Sequence, residues 1–370
     1  MQRSGTTLLA RLLASAPRMN VLLQAFPLLL VGAKREFLAT LGEADRQFPL
    51  GHLLLETTYC PGSFTTFLRQ FRPTRRWLAG VFAEMADYSG QYTRVGIATL
   101  ERALAGLPVR ADFAHILQRL CFSSSPSGTE VAGTKEMFGE ELIPYLLARG
   151  WRCIVIIRDP RDVLHSLNSG RGPQIAGRPK PVLLDVRNWR KSIAFAFRYE
   201  RHRHFAWLRY EDLVLQPDRT LTALTTRLGL PHVQPQVGVA SLRELGGEIW
   251  EGNSSHGPLR GLDPTSVGGY VAGLTPAVIA YVEATCGPEM AALGYPTTLL
   301  PAEAPRVISS FRDPFDGARS ELAGYSADPR HLTEEIRRLE LLAHPDEPLW
   351  PWFLFAATHR RLRATWPTTA

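Results

Sequence analysis

At 370 residues, with 45% hydrophobic and 21% charged side chains, the chain is long enough for one large globular domain or two ordinary ones, and its composition excludes general disorder. Forty-two basic against 35 acidic residues give a net charge of +7, which favours anionic partners without choosing among nucleic acid, membrane and a phosphorylated cofactor, or a mildly basic solvated surface. Cys60, Cys121, Cys153 and Cys286 form no CxxC pair, so neither a disulfide framework nor a zinc site is encoded, and a reducing cytoplasmic setting is expected.

The chain opens MQRSGTTLLARLLASAP. Leu8, Leu9, Leu12 and Leu13 recur at helical spacing and Pro17 closes the pattern, so a helix is expected from about Thr6, with SGTT as its N-terminal lip. A glycine-containing turn running into a helix offers unpaired N–H groups and the positive end of the helix dipole, with Ser and Thr hydroxyls beside them. Such a place binds phosphate or sulfate, although an ordinary N-cap reads the same. The GxxxxGK[ST] of nucleoside triphosphatases is absent, because Arg3 precedes the glycine and no lysine follows it. The apolar run Val21 to Ala33 contains Gln24 and Pro27, falls short of the roughly 20 residues a bilayer span needs, and reads as core or pocket wall. With this loop at residue 3, no cleavable leader is expected.

Residues 34–128 are mostly helical in character. Glu130 to Gly133 reads as a strand and Glu140 to Arg149 as a helix ended by Gly150. Arg152 to Ile157 is a short apolar run without alternation, the pattern of a strand buried on both faces of a parallel sheet. Asp159-Pro160 then starts a helix that continues to Gly170. Residues 130–169 therefore predict β-α-β-α with parallel pairing and a right-handed crossover, and the class is α/β. A strand at His204 to Arg209 and a helix at Arg219 to Leu228 follow. Gly246 to Gly273 is glycine-rich and polar and reads as a binding loop.

Pro296, Pro301 and Pro305 mark a seam between a main domain, 1–300, and a C-terminal helical extension, 301–370. The extension carries a helix at Leu332 to Ala343 and an aromatic cluster, Trp350, Trp352, Phe353 and Phe355, which is a packing strip or a homodimer contact. His202, His204 and His256 lack supporting carboxylate or cysteine spacing, so no metal is expected. The basic run Arg198 to His204 lacks interleaved aromatics and reads as a solvated helix end, not a nucleic-acid surface.

The second chemical signal is RDPRDVLHS, Arg158 to Ser166. Ligands bind at strand ends of open α/β sheets, where Arg158 offers a bidentate grip on phosphate and Ser166 a hydroxyl from the following helix. A surface ion pair between Arg158 and Asp162 is the alternative.

Together, RSGTTLL and RDPRDVLHS resemble the two phosphate-binding motifs of sulfotransferases that use 3′-phosphoadenosine 5′-phosphosulfate (PAPS), nearest the broad group that includes bacterial and tyrosyl-protein sulfotransferases. The likeness continues through WRKSIAFAF (Trp189 to Phe197), LRYEDLV (Leu208 to Val214) with Pro217, WEGNSS (Trp250 to Ser255), Gly268-Gly269-Tyr270 and Leu293-Gly294-Tyr295, covering roughly residues 2–296. It implies a P-loop-type parallel sheet flanked by helices, with helical insertions. It also implies that Arg3, Ser4, Gly5, Thr6 and Thr7 hold the 5′-phosphosulfate, with Arg3 near the bridging oxygen, and that Arg158 and Ser166 hold the 3′-phosphate. Tyr210, Asn253, Ser254 and Ser255 would close over the nucleotide. The implied reaction is in-line sulfuryl transfer to a hydroxyl without a metal, releasing 3′,5′-ADP. The Leu, Phe and Trp content of residues 25–128 points to an apolar or mixed acceptor, a small molecule or carbohydrate.

Relatives in that group often carry a glutamate where this chain has Gln24, and an amide cannot accept the acceptor's proton. The alternatives for the base are His52 and Glu56, one helical turn apart in GHLLLE, and Glu136, although a solvated helix edge explains the first two equally. Lys135, in GTKE, resembles the family's GxK lysine. The family's loop follows a central buried strand, whereas only Met1-Gln2 precede Arg3 here, with Gln2 where proline is usual, so an N-terminally shortened reading is expected. Two rivals stay open: a non-catalytic protein that binds PAPS or its product, motivated by Gln24, and a phosphoryl-transfer enzyme on a similar loop.

Overall fold

The computed structural model describes residues 3–42, 60–86, 88, 93–105, 107–108, 111–137, 139–170, 179–234, 262–315, 330–344 and 348–366. Helix α1 (Thr6–Ala14) leads into strand β1 (Met19–Leu23). Helices α2 (Pro27–Thr40), α3 (Pro61–Gln70), α4 (Arg75–Ala86), α5 (Ile97–Ala105) and α6 (Phe113–Ser123) precede β2 (Val131–Lys135). After a 3-10 turn at Glu140–Leu142 come α7 (Ile143–Ala148), β3 (Cys153–Ile157), α8 (Pro160–Asn168), the long α9 (Val182–Tyr199) and β4 (Phe205–Arg209). Helices α10 (Tyr210–Leu215), α11 (Pro217–Leu228), α12 (Tyr270–Gly273), α13 (Pro276–Leu293), α14 (Ala304–Ser310), α15 (Arg330–Glu340) and α16 (Ala356–Thr365) complete the described chain.

The α/β class holds, but the strand pairing differs from expectation. Residues 131–135 do not pair with 153–157. They pair in parallel with β1, while β3 pairs in parallel with β4. Strand β1 lay concealed in the apolar run: MNVLL has no alternation, because it is largely buried, and it is bracketed by Arg18 and Gln24, two non-glycine residues with positive φ (58° and 43°) that end the extended run. A cavity of about 500 Å³ lies between the two ladders, lined by Val131 to Lys135 on one side and Cys153 to Ile156 on the other.

Three groups of apolar side chains hold these pieces. Leu8, Leu9, Leu12 and Leu13 of α1, the stripe legible in the sequence, pack with Ile156, Leu208 and Leu221. The helical insertion builds its own core around Phe26, Leu29, Phe37, Phe64, Phe113 and Leu117. The third core joins β3, α9 and α13 to Ile308, Leu341, Phe353 and Leu362, so residues beyond 301 share the apolar interior of the main body. Phe355 of the aromatic cluster is spent on packing, edge-on to Phe195 with ring centres 5.1 Å apart. Among the described residues no helix is long and apolar enough to cross a membrane.

Candidate functional site

The turn before α1 is folded by backbone geometry before any side chain acts. Arg3 (φ 55°) and Gly5 (φ 81°) both lie in the left-handed region, and Ser4 between them is fully buried. Gly5 is required twice over. Its φ suits glycine, and a Cβ there would come within 2.3 Å of Tyr210 Cδ2, so the tyrosine ring lies directly on the turn. Gly5 caps α1 without a side-chain acceptor, and its carbonyl takes the first helical hydrogen bond from Leu9 N–H at 3.0 Å. The N–H groups of the first turn thus converge with the helix dipole, favouring negative charge.

Arg158 stands at the end of β3, where Asp159 caps α8 by accepting from Arg161 N–H at 2.9 Å. Its guanidinium sits over the Tyr210 ring, 4.6 Å from the centroid, while Nη1 donates to the Arg3 carbonyl at 3.3 Å and Nη2 to the Ser266 carbonyl. Arg3 in turn donates from Nε to Ser166 Oγ at 2.9 Å. The Tyr210 hydroxyl is 2.7 Å from Ser266 Oγ. Arg158 Nε is buried and has no hydrogen-bond partner among the described residues.

The ion pair between Arg158 and Asp162 is present, but it is buried and not on the surface. The two lie 3.8 Å apart and both are largely buried, and the Asp162 carboxylate is engaged by Gly268 N–H at 2.9 Å and Tyr270 N–H at 3.0 Å. Asp162 therefore pins the GGY turn beside the arginine. From behind, the Trp189 indole N–H donates to the Arg158 carbonyl at 2.8 Å, and Asp159 N–H donates to Glu211 at 2.8 Å.

Next to this pair of motifs, the ends of β1 and β2 bring a third set of groups. Gln24 N–H donates to the Lys135 carbonyl at 2.7 Å, and Lys135 Nζ donates to Gln24 Oε1 at 2.9 Å. Burial lowers the Lys135 ammonium to about 8, partly opposed by Glu136 and reinforced by Arg3. Glu136 moves the other way: burial raises its carboxyl to about 7, against hydrogen bonds from the Thr134 hydroxyl (2.6 Å) and Phe26 N–H (2.9 Å) and the nearby Lys135 charge. Thr6, Lys135 and Glu136 are among the residues that line the cavity between the ladders.

Of the residues singled out from sequence, Arg3, Ser4, Gly5, Thr6, Thr7, Arg158, Ser166 and Tyr210 gather here, with Gln24 and Lys135 alongside. His52, Glu56, Asn253, Ser254 and Ser255 lie outside the described residues. Sequence reasoning missed Ser266, which contacts both Arg158 and Tyr210. The signal was present, because Asp263-Pro264 repeats the Asp159-Pro160 pattern, and Asp263 likewise caps a turn by accepting from Thr265 N–H at 2.8 Å. Among the described residues no three His, Cys, Asp or Glu side chains come together to hold a metal ion.

The model of the sulfotransferase family matches residues 1–235. No curated protein matches the chain. Among solved structures, a sulfotransferase domain from the curacin biosynthetic pathway is similar over 80% of this chain and 95% of that chain, with 17% identity and a TM-score of 0.42.

Proposed function

We propose, from the premise that this chain belongs to the sulfotransferase family, that it moves a sulfuryl group from PAPS to a hydroxyl of a small-molecule or carbohydrate acceptor by in-line displacement. One observation carries the reading: two anion-binding motifs 163 residues apart meet, with Arg3 Nε 2.9 Å from Ser166 Oγ. The surroundings fit a nucleotide with phosphate at two positions. Arg3, Arg158 and Lys135 converge with an uncapped helix start, Arg158 Nε lacks a partner, and the nearest carboxylate, Asp162, is already engaged by backbone N–H groups.

When bound, PAPS supplies a sulfuryl group attached to a phosphate leaving group. Arg3 and the N–H groups of Ser4 to Thr7 hold the 5′ end and stabilise the charge that grows there as transfer proceeds. Arg158 and Ser166 hold the 3′-phosphate, and Tyr210 fixes both Gly5 and Arg158 by lying against them.

The test is calorimetric titration with 3′,5′-ADP beside a sulfate-transfer assay using labelled PAPS. Wild-type protein is expected to bind 3′,5′-ADP, and Arg158→Ala to weaken that binding by about 10- to 100-fold, the worth of one charge-assisted contact. Magnesium-dependent ATP consumption with no 3′,5′-ADP binding would refute the assignment in favour of phosphoryl transfer. Gln24, an amide already bonded to Lys135, favours a second reading, donor binding without turnover, which the same pair of measurements separates.

A further inference from the structure

We infer that Glu136 is the catalytic base, taking the acceptor's hydroxyl proton on its Oε2 in place of a group at position 24. The inference rests on the sulfotransfer reading and supplies the one role that reading leaves open. Strands β1 and β2 run parallel and end together at Leu23 and Lys135, so Gln24 and Glu136 are the first residues beyond the carboxyl end of the ladder, where Glu136 accepts from Phe26 N–H at 2.9 Å. A carboxylate can take a proton there at neutral pH and an amide cannot. Gln24 Oε1 is moreover engaged by Lys135 Nζ.

Glu136 is held as a base needs to be. Hydrogen bonds from the Thr134 hydroxyl and Phe26 N–H fall on Oε1, and the Ala25 N–H also faces the carboxyl, so its plane is fixed. Oε2 is sealed from water and has no hydrogen-bond partner among the described residues. An unpaired buried carboxylate oxygen is costly, and a hydroxyl donated by a ligand would satisfy it. The residue lines the same cavity as Thr6 of the turn before α1. Among the groups facing it, Tyr88 and Cys121 are raised by burial, and further by the Glu136 charge, so both stay neutral. The Lys135 charge, with the hydrogen bonds from Thr134 and Phe26, keeps an ionised Glu136 tolerable at neutral pH.

In the step, the acceptor oxygen forms a bond to sulfur while the bond from sulfur to the 5′-phosphate oxygen breaks. That electron pair stays on the phosphate, and the acceptor proton passes to Glu136 Oε2. Nothing is oxidised or reduced. With water as acceptor the products are sulfate and 3′,5′-ADP, so the step can be followed before the natural acceptor is identified.

The experiment compares wild type, Glu136→Gln and the double variant Gln24→Glu/Glu136→Gln. It measures 3′,5′-ADP affinity, melting temperature and transfer of labelled sulfate from PAPS to water and to a panel of alcohols, phenols and sugars. Infrared spectra in the carboxyl C=O region are recorded as a function of pH. Glu136→Gln is expected to keep 3′,5′-ADP affinity within about twofold and to lose transfer by about 100-fold or more, the usual worth of a positioned base. It should also lose a carboxyl band that titrates in wild type, and the double variant should recover transfer to within about tenfold. Undiminished transfer in Glu136→Gln overturns the inference and leaves the donor assignment standing. So does wild-type protein that binds 3′,5′-ADP yet transfers to no acceptor. Absence of 3′,5′-ADP binding by wild type overturns the donor assignment itself.

Discussion

Substituting Gly5 by alanine tests the contact on which the anion turn depends. Two costs add at this position. Holding an L-residue at φ 81° costs about 1 kcal/mol, and forcing a methyl group to 2.3 Å from Tyr210 Cδ2 makes the ring move, for about 1–3 kcal/mol of overpacking. Gly42 is the internal control, since its φ is 74° but nothing lies within 4 Å of the added methyl. Gly42→Ala should therefore lose about 1 kcal/mol and Gly5→Ala about 2–4 kcal/mol, read as a shift in urea midpoint at constant slope. Because the displaced ring also carries Arg158, Gly5→Ala should weaken 3′,5′-ADP binding by about tenfold, while Gly42→Ala leaves it unchanged. Adding Tyr210→Ala removes the collision, so in a double-mutant cycle the excess cost of Gly5→Ala should vanish. Equal destabilisation by the two glycine substitutions, with equal nucleotide affinity, would refute the packing of Tyr210 on the turn.

Glu335→Ala removes the shared carboxylate from two buried arginines, Arg187 (2.9 Å), which keeps Glu334 at 3.3 Å, and Arg190 (3.0 Å), and should cost about 3–5 kcal/mol in denaturant unfolding. Burial by itself would raise the Glu335 carboxyl, but Arg190 and Arg187 outweigh it and hold the group far below its ordinary value. Its stabilisation is thus present above about pH 4.5 and lost progressively as pH falls below that, a loss the alanine variant should not show. Glu136 has the opposite sign: its folded carboxyl, raised from 4.5 to about 7, holds a proton the unfolded chain has released. Stability should fall as pH rises through that window, by on the order of 3 kcal/mol, and a parallel profile in Glu136→Gln would contradict this. Sulfate transfer should rise through pH 7 as Glu136 ionises and decline above about 8 as Lys135 loses its charge, measured as a rate profile at saturating PAPS.

What the sequence disclosed follows from how locally each feature is encoded. The α1 stripe and the Asp159-Pro160 start are short-range patterns, and they appear where expected, at Thr6–Ala14 and Pro160–Asn168. The meeting of RSGTT with RDPRDVLHS was legible only through family resemblance, because 163 residues separate Arg3 from Ser166 and no periodicity reports a long-range contact. Pairing partners were not legible. Strand β1 is too short and too buried to alternate, so it merged with α2 into one apolar run, and the partner of β2 was assigned to β3 in error. The chemistry at the strand ends was half visible. Gln24 signalled that a carboxylate was missing and Glu136 was one of three substitutes the sequence offered, but only the parallel ladder, ending at Leu23 and Lys135, brought the two to the same sheet edge.

The C-terminal helices bear on the anion site although they lie far from it in sequence. Glu335 of α15 grips Arg187 and Arg190, which flank Trp189 on α9, and Trp189 donates to the carbonyl of Arg158. A second brace runs through α13, where Glu283 accepts from Arg161 at 2.6 Å and also takes the N–H groups of Thr298 and Leu299 at 2.8 and 2.9 Å. Arg161 is bonded in turn to Asp159, the neighbour of Arg158. A third joins Tyr295 to Glu211 at 2.9 Å, and Glu211 holds the Asp159 N–H. The proposed grip of Arg158 on a phosphate demands that its backbone stay put within a fraction of an ångström, and buried ionic groups bonded to one another do this better than apolar packing, which tolerates small slides. The buried charges of α9, α13 and α15 are costly to desolvate, and on the proposed reading the rigidity they lend to Arg158 accounts for their placement.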